Sequence, residues 1–159
     1  TIIVHGLAKA YSMTGWRIGF LAAPKPIAKA INALQSHSTS NATSFAQKGA
    51  LAALTGPQTH LDQWLTEFNN RRSYAAERLN NMGGVSCVNS RGAFYLFPNI
   101  EDTGLKSAEF CERLLEQSKV AAVPGIAFGA DSNFRISYAT SMENIQNGMD
   151  RLEEFCKSL

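Results

Sequence analysis

Residues 7–20 read LAKAYSMTGWRIGF, and this segment constrains the fold more than any other in the chain. It lies between two apolar runs, residues 1–4 before it and residues 17–23 after it. The first run has the composition of a short buried strand, and the second is an apolar run that ends at a proline. Lys9 therefore follows directly on a predicted strand, and Arg17 stands at the head of the second apolar run.

Lys9 and Arg17 allow two interpretations from the residues alone. Most lysines and arginines are solvated surface charges. Lys9, however, has only small or apolar neighbours, and a lysine stripped of water has a lowered pKa, so that its neutral amine can form a Schiff base with a carbonyl. The planar fork of Arg17 suits a phosphate. The second interpretation is a site in which both residues act on one ligand.

The rest of the chain alternates helical and extended patterns. Apolar residues at helical spacing predict helices over residues 26–35, 44–54 and 58–82. Beyond residue 84 the pattern becomes α+β. Predicted strands there are residues 85–88, 93–97, 120–123 and 134–139, and predicted helices begin with a cap at Ser107 and with a capping box from Thr140 to Glu143.

The strand FRISYA, residues 134–139, contains a second candidate binding residue. Phe134, Ile136 and Tyr138 share one face of this strand, and Arg135 lies on the other. Spacing alone favours an ordinary arginine on a solvated face. Elsewhere in the chain, three aromatic residues, Phe94, Tyr95 and Phe128, are interpreted as core packing, with a pocket-lining role as the alternative.

Composition excludes several classes of function. The chain has 159 residues and a net charge of +2, with its basic residues scattered, so no nucleic-acid-binding face is expected. No apolar run approaches the length of a membrane span. Three widely spaced cysteines indicate reduced thiols in a cytosolic-type compartment, and Cys87 is expected to be an inert buried thiol.

No metal site and no common nucleotide or hydrolase motif is predicted. His5, His37 and His60 lack metal-ligand spacing. The phosphate-binding lysine loop, the dinucleotide glycine motif and the hydrolase serine motif are all missing from the sequence. The chain begins TIIVHG, in the middle of a predicted strand, so we expect it to be a piece of a longer protein.

The segment AKAYSMTGWRIGF resembles the cofactor-lysine segment of the class I and II (fold-type I) aminotransferases, which use pyridoxal 5'-phosphate (PLP). The most similar subgroup contains the bacterial-type aspartate aminotransferases. Four later segments resemble that family in the same order: residues 40–54, 92–100, 122–129 and 134–141. The resemblance covers essentially the whole chain, but only the C-terminal portion of the family's longer chain.

The resemblance implies an α/β fold. Residues 1–68 would form the C-terminal end of a large PLP-binding sheet domain, and residues 69–159 a small α+β domain. The boundary between them would fall within the long helix.

The resemblance also implies a reaction and the residues that perform it. Lys9 would form the Schiff base with PLP and move a proton, Arg17 would pair with the cofactor phosphate, and Arg135 would bind the α-carboxylate of the substrate. Substrates would be an amino acid, with aspartate a candidate, and a 2-oxo acid. The enzyme would be a cytoplasmic homodimer. This chain alone is expected to be inactive, because the family's other cofactor contacts precede the lysine.

Some positions depart from the family pattern. Gly6 and Ala8 stand where many members place hydroxyls beside the phosphate. The sequence around Ser36 lacks the arginine with which the aspartate-specific branch binds a second carboxylate, so dicarboxylate preference is left open. Two other functions remain as alternatives: a different PLP reaction, such as a β-lyase or decarboxylase, and a non-catalytic aminotransferase-like sensor domain of a regulator.

Overall fold

A computed structural model describes residues 1–159 and mixes helices with strands, as predicted. The chain divides into two compact units, Thr1–Gln63 and Trp64–Leu159. The elements, in chain order, are β1 Ile3–Gly6, β2 Gly19–Ala22, α1 Lys25–Ser38, α2 Ser44–Thr55, α3 Thr59–Asn80, β3 Tyr95–Leu96, α4 Ser107–Ser118, β4 Val123–Pro124, β5 Phe134–Ser137 and α5 Met142–Lys157.

The first unit contains an antiparallel pair of strands. β1 pairs with β2 from Ile3 opposite Ala22 to Gly6 opposite Gly19. Gly19 permits a close approach of the two backbones, because a Cβ there would lie 2.9 Å from the carbonyl oxygen of His5. The predicted strand forms, but the prediction that it is buried is wrong: all of β1 is exposed, and Val4 retains 78% of its surface. Its only sheet neighbour is β2, so its side chains gain little cover.

The helices of the first unit bury little of their apolar surface. α1 has no buried residue, although Ile27, Ile31 and Leu34 form a stripe at helical spacing. α2 buries only Ala46 and Ala50. The core of this unit is a small cluster under the connection between β1 and β2.

Helix α3 confirms the long helix predicted over residues 58–82. It ends at Asn80 and is followed by a turn in which Gly84 adopts a positive φ of 75°, a conformation that favours glycine. The two units divide within this helix, between Gln63 and Trp64. The predicted boundary at residue 68, which concerned the domains of the family, stays a prediction.

The second unit holds the main hydrophobic core. Its antiparallel sheet has the strand order β3-β5-β4, and α4, α5 and the C-terminal part of α3 contribute buried residues to the same cluster. At its centre the ring of Phe110 stacks on Phe134, with centroids 5.0 Å apart, and meets Phe155 edge-on at 5.3 Å. Aromatic pairs of this kind add to the stabilisation that burial provides.

The prediction of a strand at residues 85–88 is wrong. Only Ser86 forms a bridge, to Asn99. Next to it, the side-chain amide of Asn80 donates to the carbonyl oxygen of Cys87 and accepts from its N–H, both at 2.9 Å. A side chain therefore takes the place that a neighbouring strand would have filled.

Both predicted helix caps differ from the structure by one residue. Ser107 is the first residue of α4 rather than its cap. Ser141, not Thr140, caps α5 by accepting a hydrogen bond from the N–H of Asn144 at 3.2 Å. Thr140 instead accepts from the side-chain amide of Asn144 at 3.0 Å.

None of the helices combines the length and the apolar character needed to cross a membrane.

Candidate functional site

The connection between β1 and β2, residues 7–18, is anchored on α2. Leu7 and Met13, 1% and 7% exposed, form a cluster with Ala50. The ring of Trp16 packs on Gly49, where a Cβ would lie 2.5 Å from the indole. These contacts fix the inner side of the connection and leave its outer side to the polar residues.

Lys9 lies on that outer side, in the turn that follows β1, and it is exposed. The carbonyl oxygen of Lys9 accepts a hydrogen bond from the N–H of Ser12 at 3.2 Å. The prediction that Lys9 is stripped of water is wrong for this chain. Its small neighbours do not exclude solvent by themselves, and the strand before it is exposed as well.

Arg17 is also exposed and follows the short 3-10 turn Thr14–Trp16. One of its terminal nitrogens, Nη1, donates to the carbonyl oxygen of Thr14 at 3.1 Å, which ties the guanidinium to the connection. Its backbone is left-handed, with φ at 51°, and that of Ser12 is similar, at 53°. Such strained residues cluster at binding and catalytic sites.

The hairpin brings Lys9 and Arg17 into one short connection. Gly6 pairs with Gly19, so residues 7–18 close a single loop with both side chains exposed. A primary amine and a guanidinium fork in one anchored loop fit a ligand that carries an aldehyde and a phosphate, which is the chemistry of PLP. Gly6 and Ala8 add no hydroxyl to this set.

Arg135 lies in the second unit, on β5, and the side chains of this strand alternate between its two faces as predicted. Phe134, Ile136 and Tyr138 are buried, whereas Arg135 is half-buried on the opposite face. The side chain of Arg135 makes no hydrogen bond and no ion pair, so its donors are available for an anion.

Two aromatic rings contact the guanidinium of Arg135. Its central carbon, Cζ, lies 4.4 Å from the ring centroid of Tyr95 and 4.7 Å from that of Phe128. The interpretation of Phe128 as a core residue is wrong, because half of its surface is exposed. Sequence reasoning missed this grouping, since it depends on the register of β3 against β5.

Two open clefts in the first unit do not include the candidate residues. One, of about 440 Å³, lies between the strand pair and α1, and the other, of about 480 Å³, lies beside Leu7, Ile18 and Leu54. Neither is lined by Lys9 or Arg17. The connection is therefore an exposed loop rather than a preformed pocket in this chain.

The other nucleophile candidates are weak. Burial raises the pKa of Cys111 and of Cys156 to about 11, and it also raises the pKa of the half-buried Cys87. Thiols with a raised pKa carry little of the reactive thiolate. No three His, Cys, Asp or Glu side chains come together as metal ligands.

Comparison with known proteins identifies related sequences. Residues 1–152 match the family model described as aminotransferase class I and II. The chain is 45% identical to the aspartate aminotransferase of Geobacillus stearothermophilus, over 99% of this chain and 42% of that protein. It is 43% identical to the aspartate/prephenate aminotransferase of Cereibacter sphaeroides, over 100% of this chain and 42% of that protein. The chain thus spans about two fifths of the length of these relatives.

Solved structures agree with these sequence matches. The aspartate aminotransferase from Rhizobium meliloti superposes with a TM-score of 0.95 at 38% identity, over 99% of this chain and 42% of that one. The aromatic aminotransferase from Pyrococcus horikoshii gives the same TM-score at 40% identity, over 99% and 43%. Both confirm the predicted α/β fold as part of a longer one.

Proposed function

The chain belongs to the class I and II aminotransferases, and we propose on this basis that it is the C-terminal part of a PLP-dependent aminotransferase. The complete enzyme moves an amino group between an amino acid and a 2-oxo acid. The observation that carries the proposal is the anchored connection of residues 7–18, which presents Lys9 and Arg17 from one loop. Its sequence also holds the family's lysine motif.

Lys9 has two tasks in this proposal. Its Nζ would hold the cofactor covalently, and its amine, once released, would take the proton from the α-carbon of the substrate. When bound, PLP supplies an electron sink for the carbon that loses this proton. Lys9 is exposed in this chain. These tasks therefore need the remainder of the enzyme, because removal of water from a lysine is one of the ways in which its amine is activated as a nucleophile.

In this proposal Arg17 anchors the cofactor phosphate, and Arg135 orients the substrate. The bond from Arg17 to the carbonyl oxygen of Thr14 uses one nitrogen, so the rest of the fork is left to pair with the cofactor phosphate. Arg135, which has no hydrogen bond or ion pair within the chain, would bind the α-carboxylate of the substrate as a bidentate pair. With its carboxylate held in place, the substrate presents its α C–H bond in a fixed orientation, and such an orientation favours removal of the proton.

Substrate, assembly and location are part of the same proposal. Aspartate is the amino donor to test first, because relatives 45% and 46% identical are named aspartate aminotransferases. The apolar side chains exposed on the first unit, among them Ile31 and Leu34, are compatible with a homodimer of the complete enzyme. Three unpaired cysteines favour a cytoplasmic enzyme of amino-acid metabolism.

The test is to locate the cofactor on the complete enzyme. Borohydride reduction followed by digestion should leave the cofactor mass on the peptide that contains Lys9. Lys9→Ala should remove this adduct, whereas Lys29→Ala, a change at an exposed lysine of α1, should retain it. An adduct on another lysine in the unsubstituted enzyme contradicts the assignment of Lys9.

Turnover assays then separate aminotransfer from its alternatives. Aspartate with a 2-oxo acid should yield the corresponding new amino acid in equal amount to the oxo product. Release of ammonia or carbon dioxide would instead indicate another reaction on the same cofactor. Binding of PLP at Lys9 without turnover of any amino acid would indicate a sensor.

A further inference from the structure

Two aromatic rings contact the guanidinium of Arg135, and we name Tyr95 and Phe128 the aromatic clamp. The strand order is β3-β5-β4. Tyr95 comes from β3, where it pairs with Ser137, so it is the diagonal neighbour of Arg135 on one face of the sheet. Phe128 comes from the turn after β4, the strand on the other side of β5. The two rings therefore come from elements on the two sides of β5, one from β3 and one from the turn that follows β4.

We propose that Tyr95 and Phe128 are positioning residues that hold the guanidinium of Arg135 in the orientation required for the substrate carboxylate. This rests on the proposed function, in which Arg135 binds that carboxylate. Neither ring takes part in the chemistry. Their effect is transmitted through Arg135.

The chemistry of the guanidinium group explains why rings suit this task. Its five N–H donors lie in the plane of the group, while its two faces pack on aromatic rings. Distances of 4.4 and 4.7 Å from Cζ to the ring centroids are within the range of attractive cation–π contacts. Contacts with rings, unlike an ion pair with a carboxylate, restrain the side chain without using its donors. The rings therefore restrain the side chain of Arg135, and its N–H donors stay available for a carboxylate.

The Phe128 side of the aromatic clamp is itself fixed. Phe97 meets Phe128 edge-on, with ring centroids 5.9 Å apart and an angle of 86° between the rings. The turn Gly125–Phe128 begins at a residue that only glycine fits, because a Cβ on Gly125 would overlap the carbonyl oxygens of Ala130 and Asn133. A closely packed turn thus presents Phe128, and packing of this kind is what holds a positioning residue in place.

The test uses the complete enzyme and replaces each ring by an aliphatic group of moderate size. Phe128→Leu and Tyr95→Leu should each raise KM for the amino acid and for the 2-oxo acid by about 3-fold to 30-fold, the range expected for loss of a cation–π contact. The value of kcat should change less. Tyr95→Phe keeps the ring and is the matched control, with KM close to that of the unsubstituted enzyme.

A double-mutant cycle with Arg135→Lys separates positioning from a general effect on the fold. A lysine lacks the planar face, so Phe128→Leu should have little further effect on KM in that background. An equal effect in both backgrounds would overturn the inference, because the ring would then act independently of Arg135. Unchanged KM in both leucine variants would overturn it as well.

The same experiments distinguish failure of the inference from failure of the proposed function. If Arg135→Lys raises KM while the ring variants do not, only the aromatic clamp is refuted. If Arg135→Lys leaves KM unchanged, Arg135 does not bind substrate, and both the proposed role and the inference drawn from it are wrong.

Discussion

Substituting Ser107 by alanine removes a buried hydroxyl that joins α4 to the turn Gly125–Phe128. Ser107 is fully buried. Its Oγ donates to Oδ1 of Asp131 at 2.7 Å and accepts from the N–H of Ile126 at 3.1 Å. The variant loses both bonds and leaves a small void where the oxygen was.

The expected loss of stability follows from these two bonds. A hydrogen bond to a charged group contributes about 1.5–3 kcal/mol and a neutral one about 0.5–1.5 kcal/mol. Asp131 keeps the bonds that it accepts from the N–H of Ser107. Ile126 is 55% exposed, so its freed N–H can be hydrated at the surface. We therefore expect Ser107→Ala to lower the free energy of unfolding by about 2–3 kcal/mol, toward the lower part of the summed range.

Urea unfolding followed by circular dichroism measures this change, and hydrogen exchange at the amide of Ile126 locates it. Ser73→Ala is the matched control. Ser73 is exposed on α3, where alanine is the better helix former, so its effect should stay within about 0.5 kcal/mol. A change at Ser107 no larger than that of the control, or unaltered protection of the Ile126 amide, would refute the reasoning.

Two further predictions concern α5. Gly148→Ala should stabilise the protein by about 0.5–1 kcal/mol, because Gly148 lies inside the helix and a Cβ there would meet no atom within 4 Å; a lower urea midpoint would contradict this. The second concerns Glu153, whose pKa is held below its ordinary 4.5 by hydrogen bonds from Lys157 and Arg78. A depressed pKa contributes stability that is present above the ordinary value and lost as pH falls through the depressed one. Urea midpoints between pH about 5 and about 3 should therefore fall more steeply for the unsubstituted protein than for Glu153→Gln, and parallel profiles would show that the ion pairs contribute nothing.

The helices could be predicted because their signal is local. Apolar residues three and four apart identify α3 to within two residues at either end. The residues that form this apolar stripe are close together in the sequence, so a short window of residues reveals it. α5 was found in the same way, and its buried residues Ile145, Met149 and Leu152 confirm the stripe. Its cap was misplaced by one residue because Thr140 and Ser141 are both good caps.

The short strands were harder to predict because their partners are distant in sequence. Residues 85–88 have the apolar character of a strand, yet Cys87 gives its backbone bonds to the side chain of Asn80. Nothing in the local pattern signals that exchange. The register that sets Tyr95 diagonal to Arg135 is likewise set by the whole sheet, so the aromatic clamp was beyond local reasoning.

The connection of residues 7–18 shows which properties of a site this chain sets by itself and which it does not. Its shape is set within the first unit: Gly6 pairs with Gly19, Leu7 and Met13 pack beside α2, and Arg17 donates a hydrogen bond to its own turn. The exclusion of water from Lys9 is not set by this chain. Water is excluded only when other atoms surround the amine on all sides, and the small residues that flank Lys9 leave its side chain exposed. The motif therefore fixes which amine and which guanidinium share a loop. The reactivity of that amine has to come from whatever covers the loop in the complete enzyme, which is why the cofactor adduct must be sought there.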